Sequence, residues 1–203
     1  MPDVIMVKGS WLMVNINNKK YDNMKKALLF LAGCLMVLTI QAQTKHLNFM
    51  GIPLDGTIAQ FHGKLTAKGL TPYTKLNQVL PVGTRAFEGT FAGEEAVIHT
   101  YYNTKTKIVY RAKAVIDALD KNDVEDKLKK YKNQLTEKYS LCEWEDHEYE
   151  GRPAYVLSVY DDEKDYLGAI CLYTSYHIEY CLHVDYLDCA NSEANENKNM
   201  DDL

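Results

Sequence analysis

Two periodicities organise the chain. From Ile178 to Tyr186, apolar and polar residues alternate. Ile178, Tyr180, Leu182, Val184 and Tyr186 point one way, and Glu179, Cys181, His183 and Asp185 the other, the pattern of a half-buried strand. Five more runs read as strands: Thr84 to Ala92, Ala96 to Tyr102, Lys107 to Ile116, Pro153 to Tyr160 and Leu167 to Thr174. Short turn-like connections join them, which predicts antiparallel meanders. Between the two sets the period lengthens. Val124, Leu128, Tyr131, Leu135 and Tyr139 form one stripe of an amphipathic helix, with Asn122 or Asp123 as its cap.

An earlier helix is predicted from about Thr57 to Lys68, with Asp55 as the cap, Ile58, Phe61 and Leu65 as the buried stripe, and Gly69 as the terminator. An extended lead-in from His46 precedes it. Each half thus reads as a helix followed by three strands, in units 46–117 and 122–188 of one domain spanning 43–188. Letters recur as well. Lys64 to Lys68 matches Gln134 to Lys138, and Gly93 to Asn103 matches Gly151 to Asp161. The offsets differ, which leaves an insertion in the Leu70 to Val82 region. The fold class expected is α+β: antiparallel sheet with two helices packed on one face, in a tandem α-β-β-β arrangement. Residues 189–203 are rich in Asn, Asp and Glu without period and read as a disordered acidic tail.

The apolar run from Ala27 to Ile40 fits neither period. Lys25 and Lys26 precede it and Ala42 follows, the form of a cleaved export signal over 24–42. Its length of about 14 residues falls short of the roughly 20 needed to span a bilayer, so no membrane span is expected after cleavage. Met24 then reads as the start of translation, and residues 1–23 as an upstream extension outside the fold. A second reading competes. Leu31-Ala32-Gly33-Cys34 matches a lipobox, in which Cys34 is lipidated and anchors the chain to the envelope. The residues after Cys34 stay apolar where a lipoprotein turns polar, which favours ordinary cleavage.

Composition narrows the function. With 23 basic and 28 acidic residues, net −5 and no basic block, the chain lacks the concentrated cations that nucleic acid requires. An apolar content of 46% fits a packed globule. The 15 tyrosines fall mostly in strands, where propensity and half-burial account for any one of them, and a contact surface for several together.

Candidate chemistry is sparse. Glu179, Cys181, His183 and Asp185 share a strand face at metal-ligand spacing, but no second cluster points at them and a polar stripe on an exposed strand needs no function. No metal, cofactor or catalytic residue is therefore assigned. A hairpin centred on Tyr176 places Cys171 opposite Cys181, the register a cross-strand disulfide requires in an oxidising compartment. The acidic residues around Cys142, from Glu143 to Glu148, read as a solvated loop. Gly-x-Ser-x-Gly, His-Glu-x-x-His and phosphate-cradling glycine motifs are missing from the sequence.

The stretch His46 to Thr57, with Phe61, Leu65 and Lys68-Gly69-Leu70 behind it, resembles the start of a family of uncharacterised small exported proteins of Bacteroidota. Phe87 to Gly93 is similar to that family as well. The resemblance implies export and carries over no residue roles. The paired helix-plus-meander plan is similar in architecture to β-lactamase inhibitor proteins and BamE-type envelope lipoproteins. The expected function is a non-enzymatic periplasmic or secreted binding module whose partner is a protein or other envelope ligand. The contact surface expected is the uncovered sheet face or the Leu70 to Val82 insertion. A small periplasmic hydrolase or glycan-processing enzyme, and a passive structural envelope protein, are the alternatives.

Overall fold

The computed structural model describes residues 4–7, 10–13, 45–176 and 178–200, with side chains in 45–176 and 178–195. The leader at 24–42 and Cys34 lie outside the described residues. The chain divides into two units, 1–43 and 44–203. In the first, strands β1 (Val4–Val7) and β2 (Ser10–Met13) pair as a small hairpin, in a stretch where the sequence shows no period.

The second unit is α+β, as the periodicities predict. Hairpin β3 (Asn48–Phe49) and β4 (Ile52–Pro53) leads into helix α1 (Ile58–Ala67). Then come β5 (Thr71–Pro72), the single-turn α2 (Thr74–Asn77), β6 (Thr84–Phe91), β7 (Glu94–Tyr102) and β8 (Val109–Ala118). Helix α3 (Lys121–Lys138) opens the second half, followed by β9 (Cys142–Tyr149), β10 (Arg152–Tyr160), β11 (Tyr166–Tyr176), β12 (Tyr180–Asp188) and α4 (Cys189–Met200).

Eight strands make one antiparallel sheet in the order β5-β6-β7-β8-β12-β11-β10-β9. The two halves join edge to edge through their last strands, with Ala114 opposite Val184. That order makes β6 the counterpart of β10 and β7 the counterpart of β11. The repeat is therefore present at the level of elements, but the letter match of Gly93–Asn103 with Gly151–Asp161 aligns β7 with β10, strands the topology does not equate. The second half also holds a fourth strand, β9, where a solvated loop was expected. Its counterpart in the first half is short β5, inside the insertion from Leu70 to Val82.

One face of the sheet is apolar and covered. Ile98, Ala112, Ala114, Ile116, Leu157, Ile170, Leu172, Leu182, Val184 and Tyr186 are buried there. Helix α1 contributes Phe61 and Leu65, and α3 contributes Val124, Leu128, Tyr131 and Leu135. The β3–β4 hairpin adds Phe49 to a cluster of rings in the core. Phe49 stacks on Phe91 at 5.4 Å and meets Tyr186 edge-on at 5.2 Å, while Phe91 lies parallel to Tyr131 at 6.0 Å. Among the described residues no helix is long and apolar enough to cross a membrane.

The caps differ from those read in the sequence. Thr57, not Asp55, caps α1: Gln60 N–H donates to Thr57 Oγ1, and Gln60 Oε1 accepts from the Thr57 N–H at 3.0 Å, a reciprocal capping box. Gly69, at φ +89, ends that helix as expected. Asp120, rather than Asn122 or Asp123, caps α3 by accepting from the Asp123 N–H at 2.9 Å. The tail expected to lack structure forms α4 instead. Asn191 anchors it, its amide donating to the Leu54 carbonyl and its backbone N–H to Asp188 Oδ1 at 3.0 Å.

Candidate functional site

The opposite face of the sheet carries neither α1 nor α3. Strand alternation and register decide what stands on it. One row across the strands reads His99 on β7, Lys113 on β8, Asp185 on β12, Cys171 on β11 and Val156 on β10. The adjacent rows bring in Tyr101 and Arg111 on one side, and His183 and Tyr173 on the other. Arginine, lysine, two histidines, aspartate and two tyrosines thus meet at the seam between the two halves.

Arg111 and Asp185 are the centre of this group. Arg111 Nε donates to Asp185 Oδ1 at 2.8 Å, and Nη2 reaches Oδ2, so the pair is bidentate. Asp185 is only 4% exposed although it lies on the face away from α1 and α3, because its neighbours wall it in. The hydrogen bond to Asp185 holds the Arg111 pKa above its ordinary value. The guanidinium also lies over the Tyr101 ring, 4.7 Å from its centroid, which orients it as a flat surface element.

Aromatic rings flank the pair. Tyr173 and His183 stack in parallel at 4.5 Å, and Tyr149 leans on Tyr173 at 4.7 Å. His183 Nε2 shares a hydrogen bond of 2.7 Å with Ser175 Oγ. Burial drives the His99 pKa down from its ordinary value to about 4, and Lys113 beside it pushes in the same direction. His99 is therefore neutral at pH 7, and burial also lowers Lys113 from the usual lysine range.

The four residues of the sequence-predicted ligand row separate. Glu179 falls in the bend before β12, Cys181 contacts Asp117 Oδ1 at 3.5 Å, His183 is stacked on Tyr173, and Asp185 is engaged by Arg111. Cys171 and Cys181 are not cross-strand partners. The β11–β12 hairpin centres two residues later than the sequence suggested, pairing Tyr176 with Tyr180, Cys171 with Asp185 and Cys181 with Ser175. The two cysteines lie four residues apart along the ladder, about 13 Å, well beyond disulfide reach. Cys142, Cys171, Cys181 and Cys189 are all free thiols. Face assignments survive the shift, because a slip by an even number of residues preserves alternation.

Sequence reasoning missed Arg111 and Tyr101. Alternation puts each on the polar side of its strand, but only the Tyr101↔Arg111 pairing and the β8–β12 junction bring them beside Asp185; just beyond that pair the register jumps to Tyr102↔Val109 and leaves Tyr110 unpaired. The alternation read from Ile108 through Ile116 therefore changes phase at Tyr110, and Val109 rather than Ile108 enters the core.

Comparisons with protein-family models, with curated proteins and with solved structures returned no match.

Proposed function

We propose that this chain is an exported, non-enzymatic binding module of the bacterial envelope that engages a protein partner through the uncovered sheet face. The observation that carries the reading is the arrangement around Arg111 and Asp185. Arginine and tyrosine are the side chains that dominate interface energetics, and here they stand together at the centre of a broad, rigid β-surface. A strand scaffold supplies a pre-organised contact surface, since ladder bonds hold the backbone and ring stacking fixes the rotamers. Delivery by the 24–42 leader puts that surface beyond the inner membrane, as a free or lipid-anchored protein.

Affinity capture from a cell-envelope fraction tests it. The unaltered chain is expected to retain a specific protein that Tyr101→Ser/Tyr173→Ser loses, while Lys64→Ala on the exposed side of α1 keeps it. Equal recovery by all three baits, or none by any, contradicts the reading.

A further inference from the structure

On the helix side of the sheet, the first half of α3 and the far ends of β10, β11 and β12 leave a cleft of about 650 Å³ between them. That volume lies inside the ~300–1,000 Å³ typical of small-molecule sites. Its floor and walls are apolar and aromatic: Val124 and Leu128 from the helix, Pro153 and Tyr155 from β10, and Tyr180 from β12.

The rim has a different character. Lys121, Lys129, Lys132 and Arg152 line it against the single carboxylate of Glu125, in a chain whose net charge is −5. Helical spacing explains the clustering. Positions 121, 125, 129 and 132 form one stripe beside the buried one. The lysines' ion pairs are long and solvated: Lys121 to Glu125 at 3.8 Å, Lys129 to Asp126 at 3.9 Å and Lys132 to Asp146 at 3.7 Å. Pairs of that kind contribute little and yield readily to a desolvated anion. Lys132 is the best placed, its Nζ 3.8 Å from the Tyr155 ring centroid and 5.1 Å from that of Trp144. Thr174, 7% exposed, also lines the cleft.

We propose that this cleft binds one small amphipathic carboxylate, its apolar body against Leu128, Tyr155 and Tyr180 and its anionic end at Lys129 and Lys132. The site lies on the opposite side of the sheet from the Arg111–Asp185 face and does not depend on it.

Calorimetric titration with laurate, dodecanol and dodecyltrimethylammonium, each below its critical micelle concentration, tests the proposal on the full chain. Laurate is expected to bind at one site per chain, with the cationic and neutral probes at least about tenfold weaker. Lys129→Ala/Lys132→Ala is expected to weaken laurate by a similar factor of about ten or more. The three-probe comparison needs no variant, so loss of stability in the double substitution does not blunt the test. Saturation at many sites, equal affinity for the cationic probe, or no laurate binding overturns it. Co-sedimentation with phosphatidylglycerol vesicles is the separate arm. Leu119 (95% exposed) and Ile178 (90% exposed) lie beyond the end of the β8–β12 pairing. Vesicle binding lost in Leu119→Ser/Ile178→Ser, without one-site laurate binding, reassigns this end of the fold to a membrane surface and overturns the proposal.

Discussion

The backbone N–H of Leu47 donates to Asp188 Oδ2 at 2.9 Å, closing the fold across 141 residues of sequence. Asp188 is fully buried, and its other oxygen accepts from the Asn191 N–H and lies 3.0 Å from His46 Nδ1. One carboxylate thus ties the lead-in to β3, the end of β12 and the start of α4. Asp188→Ala strands these donors in the interior and is expected to cost about 3–5 kcal/mol. Asp188→Asn keeps one acceptor and is expected to cost less. Urea unfolding with matched m-values measures both.

Arg111 and Asp185 are expected to be strongly coupled. Arg111→Met leaves the carboxylate of Asp185 buried without its counter-ion, at a cost of about 3 kcal/mol. Arg111→Met/Asp185→Leu removes both charges, and its total is expected to stay within about 1 kcal/mol of the unaltered chain. A double-mutant cycle in urea gives the interaction energy directly. Additive single effects would show that the pair is not coupled.

Gly168 sits at the bulge where β10 and β11 change register, between Val159↔Gly168 and Tyr160↔Tyr166. Its φ is +150, and a Cβ added there would lie 2.2 Å from the Leu187 carbonyl oxygen, a backbone atom that cannot swing away. Gly168→Ala is expected to destabilise by about 2–4 kcal/mol, read as a lowered Tm. Gly63→Ala, on α1 with nothing within 4 Å, is the control and is expected to stabilise slightly.

His99 gives the fold an acid-sensitive component. Its folded pKa of about 4 lies below the ordinary 6.5, so the folded state binds fewer protons than the unfolded one. Its contribution is complete above pH 6.5 and is lost as pH falls toward 4, amounting to a few kcal/mol at most. The difference in unfolding free energy between the unaltered chain and His99→Gln is expected to change over that window and to be flat above it.

Burial, with Asp117 against it, pushes the Cys181 thiol up to about 11, and burial with Glu193 does the same at Cys189. Little thiolate forms at neutral pH. Iodoacetamide at pH 8 is expected to label both roughly a hundredfold more slowly than an unshifted thiol, with labelling needing no reductant. Mass spectrometry after timed quenching reads the rates.

The fold was legible wherever one side of an element is buried. The stripe Val124, Leu128, Tyr131, Leu135 and the alternation Tyr180 to Tyr186 each name the residues that reach the core. Strand β9 escaped because it is an edge. Only Cys142 and Trp144 of its residues pack against the core, and the rest of Glu143 to Tyr149 is exposed and mostly charged, as edges that avoid further pairing are. Helix α4 escaped because Asn191 and Asp188, rather than a hydrophobic stripe, hold it in place. The candidate face was half legible. His183 and Asp185 follow from alternation, whereas Arg111 and Tyr101 join them only through the β7–β8 and β8–β12 pairings, which are non-local.

Site-specific photo-crosslinking in living cells is the most direct test of the sheet face away from α1 and α3 as the contact surface. Benzoylphenylalanine is placed at Val97, Tyr101 or Tyr173 on that face, or at Lys64 or Glu125 on the helix side. The account predicts one discrete adduct, of the same mass for the three sheet positions and missing from the two helix positions. Adducts from the helix side alone, or none from any sheet position, would contradict it.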